Sequence, residues 1–202
     1  YPSNTDMFRK AKAQGAWTGY VHSFYNGDPL QGNLGGAKGF MVDAALGTTD
    51  AVEWSTAQNG YPPLYAVWNN GLRVTVVGGE DSISNLHRSK LVGSVRTYVH
   101  TGAAGLDMQA WFEGLKTGRA FVSSGPLVEL TIDDRLPGEE VTLGDTGGTV
   151  EVVGRVQSVT ALDRIFLVCN GETINEAPVM GDRRGGTLRV RHRVTRSGWC
   201  HL

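Results

Sequence analysis

The chain has no run of about 18 apolar residues, so no transmembrane helix is expected. Cysteine is scarce. The two present, Cys169 and Cys200, do not form a Cys-x-x-Cys pair, which leaves little ground for a zinc finger. They read either as one disulfide in an oxidising compartment or as two buried thiols, the second favoured for so isolated a pair. An excess of charge of one sign is lacking too. With 19 basic and 20 acidic residues the net charge is −1, which gives no electrostatic reason to expect nucleic acid or an anionic membrane surface as partner. No Gly-x-Ser-x-Gly elbow, Gly-x-Gly-x-x-Gly fingerprint or P-loop occurs. Cys200 and His201 are adjacent, and neighbours on a strand point to opposite faces, so they make a poor catalytic dyad. The start lacks both a Met and a basic-then-apolar leader. Both ends are expected to be cut from something longer. The compartment stays open, with periplasm and cell exterior among the options.

Glycine is abundant, at 28 of 202 residues, and points to many turns and short strands. Two compositional halves stand out. Residues 1–125 alternate helical and strand-like segments, whereas residues 126–202 hold strand-like segments and turn signals alone. Ser3 or Asn4 can cap a helix over 6–14, stopped by Gly15. A strand over 16–22, a Gly/Asn/Asp-rich loop over 24–37, a short helix over 40–46 and a strand over 51–54 follow. A helix over 63–70 opens on Pro62-Pro63 and ends at Gly71. Further strands are expected over 72–77, 96–100 and 120–123, with a helix over 107–117. The order implies right-handed crossovers and a parallel sheet or barrel portion. In the second half, strands are expected over 127–132, 140–143, 149–156, 164–170, 187–194 and 198–202. Asp133-Asp134 and Asn170-Gly171 read as hairpin turns. This spacing suggests an immunoglobulin-like β-sandwich.

Residues 73–82, Arg-Val-Thr-Val-Val-Gly-Gly-Glu-Asp-Ser, carry the sharpest signal for chemistry. A β-branched run opens onto two glycines and then acid, a way to present Asp81 at the carboxyl end of a strand, where it can hold a metal or a catalytic water. The alternative is a turn with a solvated acidic pair. His22 ends an apolar strand and is placed to ligate a metal, or it is a hydrogen-bonded structural histidine. Glu53 lies inside a strand, where an acid must be paired or coordinated; an arginine such as Arg73 or Arg96 is the other partner for it. His87 either swings toward Asp81 or lies on a solvated face with Arg88 and Lys90. Arg96 and Arg119 sit at strand edges. Each could hold a substrate anion as a guanidinium fork, or, for Arg119, pin a helix–strand corner.

Five segments in order carry a resemblance: AKAQGAWTGYVH at 11–22, DAVE at 50–53, LRVTVVGGEDS at 72–82, VGSVRTYV at 92–99 and TGRAFVSSGP at 117–126. Together they resemble the carboxyl-terminal part of metal-dependent hydrolases of the polymerase-and-histidinol-phosphatase (PHP) superfamily, in its carbaryl-hydrolase-like branch. The resemblance implies an α/β fold: a partial, TIM-like (β/α) barrel of the PHP type, followed here by the small immunoglobulin-like β-sandwich. It implies divalent metal (Zn, Mn or Fe) and a metal-activated water that attacks a phosphoester, ester or carbamate-type bond of a small-molecule substrate. By position His22 and Asp81 look like family metal ligands with catalytic roles. The residue reading adds Glu53 as a further candidate ligand and Arg96, Arg119 and His87 as candidates for the substrate. The family's His-x-His motif is not in these residues, and Ile83 stands where a histidine is usual. The expectation is therefore a fragment or truncated form of such a hydrolase, in which the metal can be absent. The alternative is a non-catalytic binding or structural protein that has lost the metal site. An open half-barrel would expose sheet edges and favour a homo-oligomer.

Overall fold

The computed structural model describes residues 3–23, 36–54, 61–80, 82, 91–102 and 105–202. The chain divides after Val122 into two compact units, Tyr1–Val122 and Ser123–Leu202, each with a core of its own.

In the first unit, α1 (Asn4–Lys12) begins in a capping box: the Ser3 hydroxyl accepts from the Asp6 N–H, and the Asp6 carboxylate accepts from the Ser3 N–H, both at 3.2 Å. Gly15, at φ +79°, turns the chain out of it. Then come β1 (Gly19–Tyr20), α2 (Phe40–Ala45), β2 (Ala51–Glu53), α3 (Tyr61–Asn69) and β3 (Thr75–Val77). The three strands form a parallel sheet in the order β1-β2-β3. Its core is Tyr20, Phe40, Val52, Leu64, Val67 and Val74, with Phe8 edge-on to Tyr20 and Tyr20 edge-on to Phe40. β4 (Arg96–Val99) and β5 (Ala120–Ser123) make a separate two-stranded sheet, joined through α4 (Met108–Lys116). Asp107 caps α4, its carboxylate accepting the Ala110 N–H at 2.6 Å. Gly114 lets α4 lie close on β4: a Cβ there would come within 2.5 Å of a Val99 methyl and 3.0 Å of the His100 carbonyl oxygen.

The partial (β/α) barrel expected from the sequence does not form. Among the described residues no barrel closes, and strand outweighs helix, at 35% against 19%. Closure needs one hydrogen-bonded ring of about eight tilted strands. Here the parallel sheet stops at β3. Just beyond it, the Gly78 N–H donates to the Thr97 hydroxyl at 2.7 Å, and that hydroxyl donates back to the Gly78 carbonyl at 3.2 Å. A threonine side chain occupies the backbone groups that would otherwise extend the ladder to β4. The strands are also short, two or three residues where four to seven were expected, so few ladder bonds tie them. Local alternation in the sequence reports strand character, not whether neighbouring strands join.

The second unit contains β6 (Leu127–Ile132), β7 (Gly148–Gln157), β8 (Arg164–Cys169), β9 (Glu172–Pro178), β10 (Gly185–Val194) and β11 (Cys200–His201). They form two antiparallel three-stranded sheets, β10-β7-β6 and β11-β8-β9. Val150, Val152, Val156, Ile165, Leu167 and Leu188 fill the core between them. Burial of each such aliphatic side chain is worth roughly 1.5–3 kcal/mol. Asp133, Asp134 and Asn170 adopt left-handed backbone, as two-residue hairpin turns require. The immunoglobulin-like expectation of six strands holds in number but is corrected in strand identity and arrangement. Two sheets of three strands each stand where that fold has four and three. Residues 140–143 are not a strand, although Val141 and Leu143 pack on the core. β9, whose Glu-Thr-Ile-Asn-Glu-Ala-Pro has little hydrophobic alternation, is a strand because the Asn170-Gly171 turn folds it back on β8.

Cys169 and Cys200 form a disulfide, not the buried thiols that the sequence favoured. They are 31 residues apart, and only the pairing of β11 with β8 sets them opposite each other.

Candidate functional site at the carboxyl edge of the parallel sheet

In open parallel sheets, ligands bind outside the carboxyl ends of the strands. At that edge of β1-β2-β3 three segments emerge: Val21–Ser23 after β1, Glu53–Trp54 in and after β2, and Gly78–Glu80 after β3. His22 has left-handed backbone, at φ +55°, uncommon for a residue with a side chain. Its N–H donates to Glu53 Oε2 at 3.0 Å. The acid in β2 thus anchors the turn after β1, and Glu53 meets His22 where the sequence offered an arginine. His22 is exposed, while Ser23 next to it is buried.

Gly78 is a glycine for a packing reason. A Cβ there would come within 2.4 Å of a Val122 methyl and 3.0 Å of a Val95 methyl. Glu80 then turns to its own surroundings. One carboxylate oxygen accepts from the Gly93 N–H at 3.1 Å and from the Ser82 hydroxyl at 2.9 Å. The Gly93 bond first, and the Ser82 bond next, hold its carboxyl below the usual range. Gly93 in turn faces the Arg96 guanidinium, which donates to the Tyr98 hydroxyl at 3.1 Å. Tyr98 stacks on Phe121 with ring centroids 4.9 Å apart.

The two nominated arginines are not brought together. Arg96 starts β4 on the Glu80 side, whereas the Arg119 carbonyl accepts from the His100 N–H just past the other end of that strand. Four residues of extended chain separate the two ends, about 13 Å. Arg119 Nε donates to the Thr117 hydroxyl at 3.1 Å, and its N–H bonds to the Gly114 carbonyl, so it pins the α4–β5 corner. Asp81 and His87 lie outside the described residues, as do Ile83 and nearly all of the loop expected over 24–37.

No family model, no curated protein and no solved structure matches the chain. The resemblance to the PHP superfamily accordingly rests on the five sequence segments alone, and what it implies for function is a matter for proposal.

His22 and Glu53 have donor chemistry that suits a divalent ion, an imidazole nitrogen and carboxylate oxygens. Two donors are fewer than the three protein ligands a catalytic ion takes. Among the described residues no group of three His, Cys, Asp or Glu side chains converges. A complete set would need Asp81 or another residue outside the described ones.

A second polar centre escaped the sequence reading. Asp43 in α2 is buried in the first unit's core. Its Oδ1 accepts from the Thr5 and Thr48 hydroxyls, both at 2.6 Å, and its Oδ2 accepts from the Tyr20 hydroxyl at 2.5 Å. Burial raises the Asp43 pKa, but the bonds from Thr48, Thr5 and Tyr20 together outweigh it and hold the carboxyl below the usual range. Burial, then the bond to Asp43, pushes the Tyr20 hydroxyl up to about 12. Every donor aimed at Asp43 is answered, so the cluster is a core fastening. Only the helical spacing of Phe40, Asp43 and Ala44 hinted that an acid would face inward.

Proposed function

We propose that the carboxyl edge of β1-β2-β3 is the working face of this chain, and that it contributes His22, Glu53 and Asp81 to the divalent-metal site of a hydrolase acting on a phosphoester, ester or carbamate-type bond. The observation that carries the reading is the His22–Glu53 contact. A residue held in left-handed backbone by a neighbouring strand's carboxylate, at the edge where ligands bind, is the kind of local strain that accompanies function. Arg96, on the Glu80 side of β4, is the arginine assigned to the substrate anion, and Arg119 is left to the α4–β5 corner.

The test is metal content and hydrolysis measured together. Purified chain is dialysed against Zn, Mn or Fe, assayed by elemental analysis, and offered aryl phosphate, ester and carbamate substrates. Stoichiometric metal that falls in Glu53→Gln and Asp81→Asn supports the proposal. Metal at background level in the parent, or metal unchanged by both substitutions, refutes it.

One observation favours a second reading, a non-catalytic binding platform: of the nominated ligands only two meet among the described residues. Metal-free chain that still gains thermal stability from a small anion would support that reading over the first.

A further inference from the structure

We propose that the unpaired edge of β10 is a docking edge for an extended acidic peptide, which adds to the β10-β7-β6 sheet as a fourth strand. The last acid in the chain is Asp182. Residues 183–202 hold six arginines, Arg183, Arg184, Arg189, Arg191, Arg193 and Arg196, and no Asp or Glu. Three of them alternate along β10. Arg189, Arg191 and Arg193 are exposed, while Leu188, Val190 and Val194 between and beyond them face the core. They form a row on the outer face of the sheet, repeating about every 6.8 Å.

The carboxylates on that face are too few to match the row. Glu151 on β7 lies opposite Arg191 but bonds Arg189, at 2.7 Å. Glu129 on β6 faces Arg155, at 3.7 Å. Arg193 donates to a neutral carbonyl, that of Thr146, at 2.9 Å, and to no carboxylate among the described residues. Arg191 makes no hydrogen bond or ion pair among the described residues. Among the described residues two guanidiniums in register therefore lack an anion.

β10 is also an edge strand. Its ladder runs to β7 on one side, and the backbone groups of 187–193 that point the other way have no backbone partner among the described residues. A strand laid along this edge would fill those groups and set its own outward side chains about 5 Å from the arginine row. Its side-chain repeat is the same two-residue repeat. Acids at alternate positions would thus meet Arg189, Arg191 and Arg193 one for one, as guanidinium–carboxylate forks. Edge charge ordinarily guards against self-pairing. A row of one sign does so while still admitting a strand of the opposite sign, which makes the guard a selector.

The test uses the intact chain and fluorescence anisotropy at about 100 mM salt, where free-solution attraction is largely screened. The probe is a labelled eight-residue peptide alternating Glu and Thr. Its comparators are a peptide with the same composition in two blocks, and the alternating peptide N-methylated on the bonding face. Binding of the alternating peptide is expected, about tenfold weaker for each comparator and for Arg191→Gln and Arg193→Gln. Arg164→Gln, in the other sheet, should bind as the parent does. Equal binding of all three peptides, no binding of any, or capture of a sulfated polysaccharide or oligonucleotide in place of the peptide would overturn the proposal. The peptide comparison needs no substitution, so it decides even if a variant folds poorly.

Discussion

Removing one oxygen, by Tyr20→Phe, should destabilise the first unit in a manner that depends on pH. The Tyr20 hydroxyl donates to the buried Asp43 carboxylate at 2.5 Å and accepts from Asn4 Nδ2 at 3.3 Å. Phenylalanine keeps the ring against Phe8 and Phe40, so the transfer of apolar surface is nearly unchanged. What is lost is a hydrogen bond to a buried charge, worth about 1.5–3 kcal/mol, and Asp43 Oδ2 is left without its donor. The loss at neutral pH should be about 2 kcal/mol. A tyrosine titrates near 10 in the unfolded chain and at about 12 here. A raised pKa on a group that is neutral when protonated stabilises the fold below the unfolded value, and that contribution disappears as pH climbs through the folded one. It amounts to roughly 3 kcal/mol in full, of which about half is gone by pH 11. Parent and variant should therefore differ by a constant amount up to about pH 9, then converge, and nearly meet by about pH 12. Urea titrations read by tryptophan emission suit this, since Trp17, Trp54, Trp68 and Trp111 lie in the first unit and Trp199 alone in the second. A difference under about 0.5 kcal/mol at neutral pH, or a gap that stays constant through the alkaline range, would refute the assignment of Tyr20 as donor to a buried carboxylate.

Asp43→Asn should flatten the acid side of the same profile. The lowered Asp43 carboxyl contributes stability above the ordinary carboxylate pKa and loses it as pH falls through the folded value, which urea titrations at decreasing pH will show. Reduction of Cys169–Cys200, which closes a 31-residue separation, should cost the second unit about 3–4 kcal/mol, read from Trp199 emission in denaturant with and without reductant. Gly114→Ala sets two effects against each other. Helix propensity favours alanine by about 1 kcal/mol, but the new methyl would overlap Val99 and the His100 carbonyl, so a net loss of about 1–2 kcal/mol is expected in thermal melts.

Much of the secondary structure was legible because its signals are local. Ser3, Gly15, Gly71 and Gly118 mark helix ends through a side-chain cap and left-handed backbone, and both kinds of mark sit within a few residues of the end they set, whereas Asp107, read as the first helical residue, is the cap of α4. Asn170-Gly171 announced its hairpin in the same way. What failed was non-local. That Thr97 would occupy Gly78 and stop the sheet depends on a contact 19 residues away. The disulfide depends on β11 reaching β8, and the Asp43 fastening on Thr5, 38 residues upstream. At the candidate site the nomination of Glu53 rested on the cost of an acid within a strand. It found a partner, but a backbone N–H rather than a guanidinium. Arg119 had two readings, and the Thr117 and Gly114 bonds select the corner-pinning one.

The helix α1 contains no fully buried residue. Among the described residues four of its side chains hold it to the rest of the unit: Asn4 on the Tyr20 hydroxyl, Thr5 on Asp43, Phe8 edge-on to Tyr20, and Lys12 paired with Asp50 at 2.5 Å. Such a helix opens as one piece. Its amides should exchange with solvent at a free energy well below that of the strands it covers, and each opening would briefly wet a carboxylate that the closed state keeps dry. Native-state hydrogen exchange should therefore find α1 to be the first element of this unit to come away, and to come away sooner at acid pH, where protonated Asp43 no longer grips Thr5.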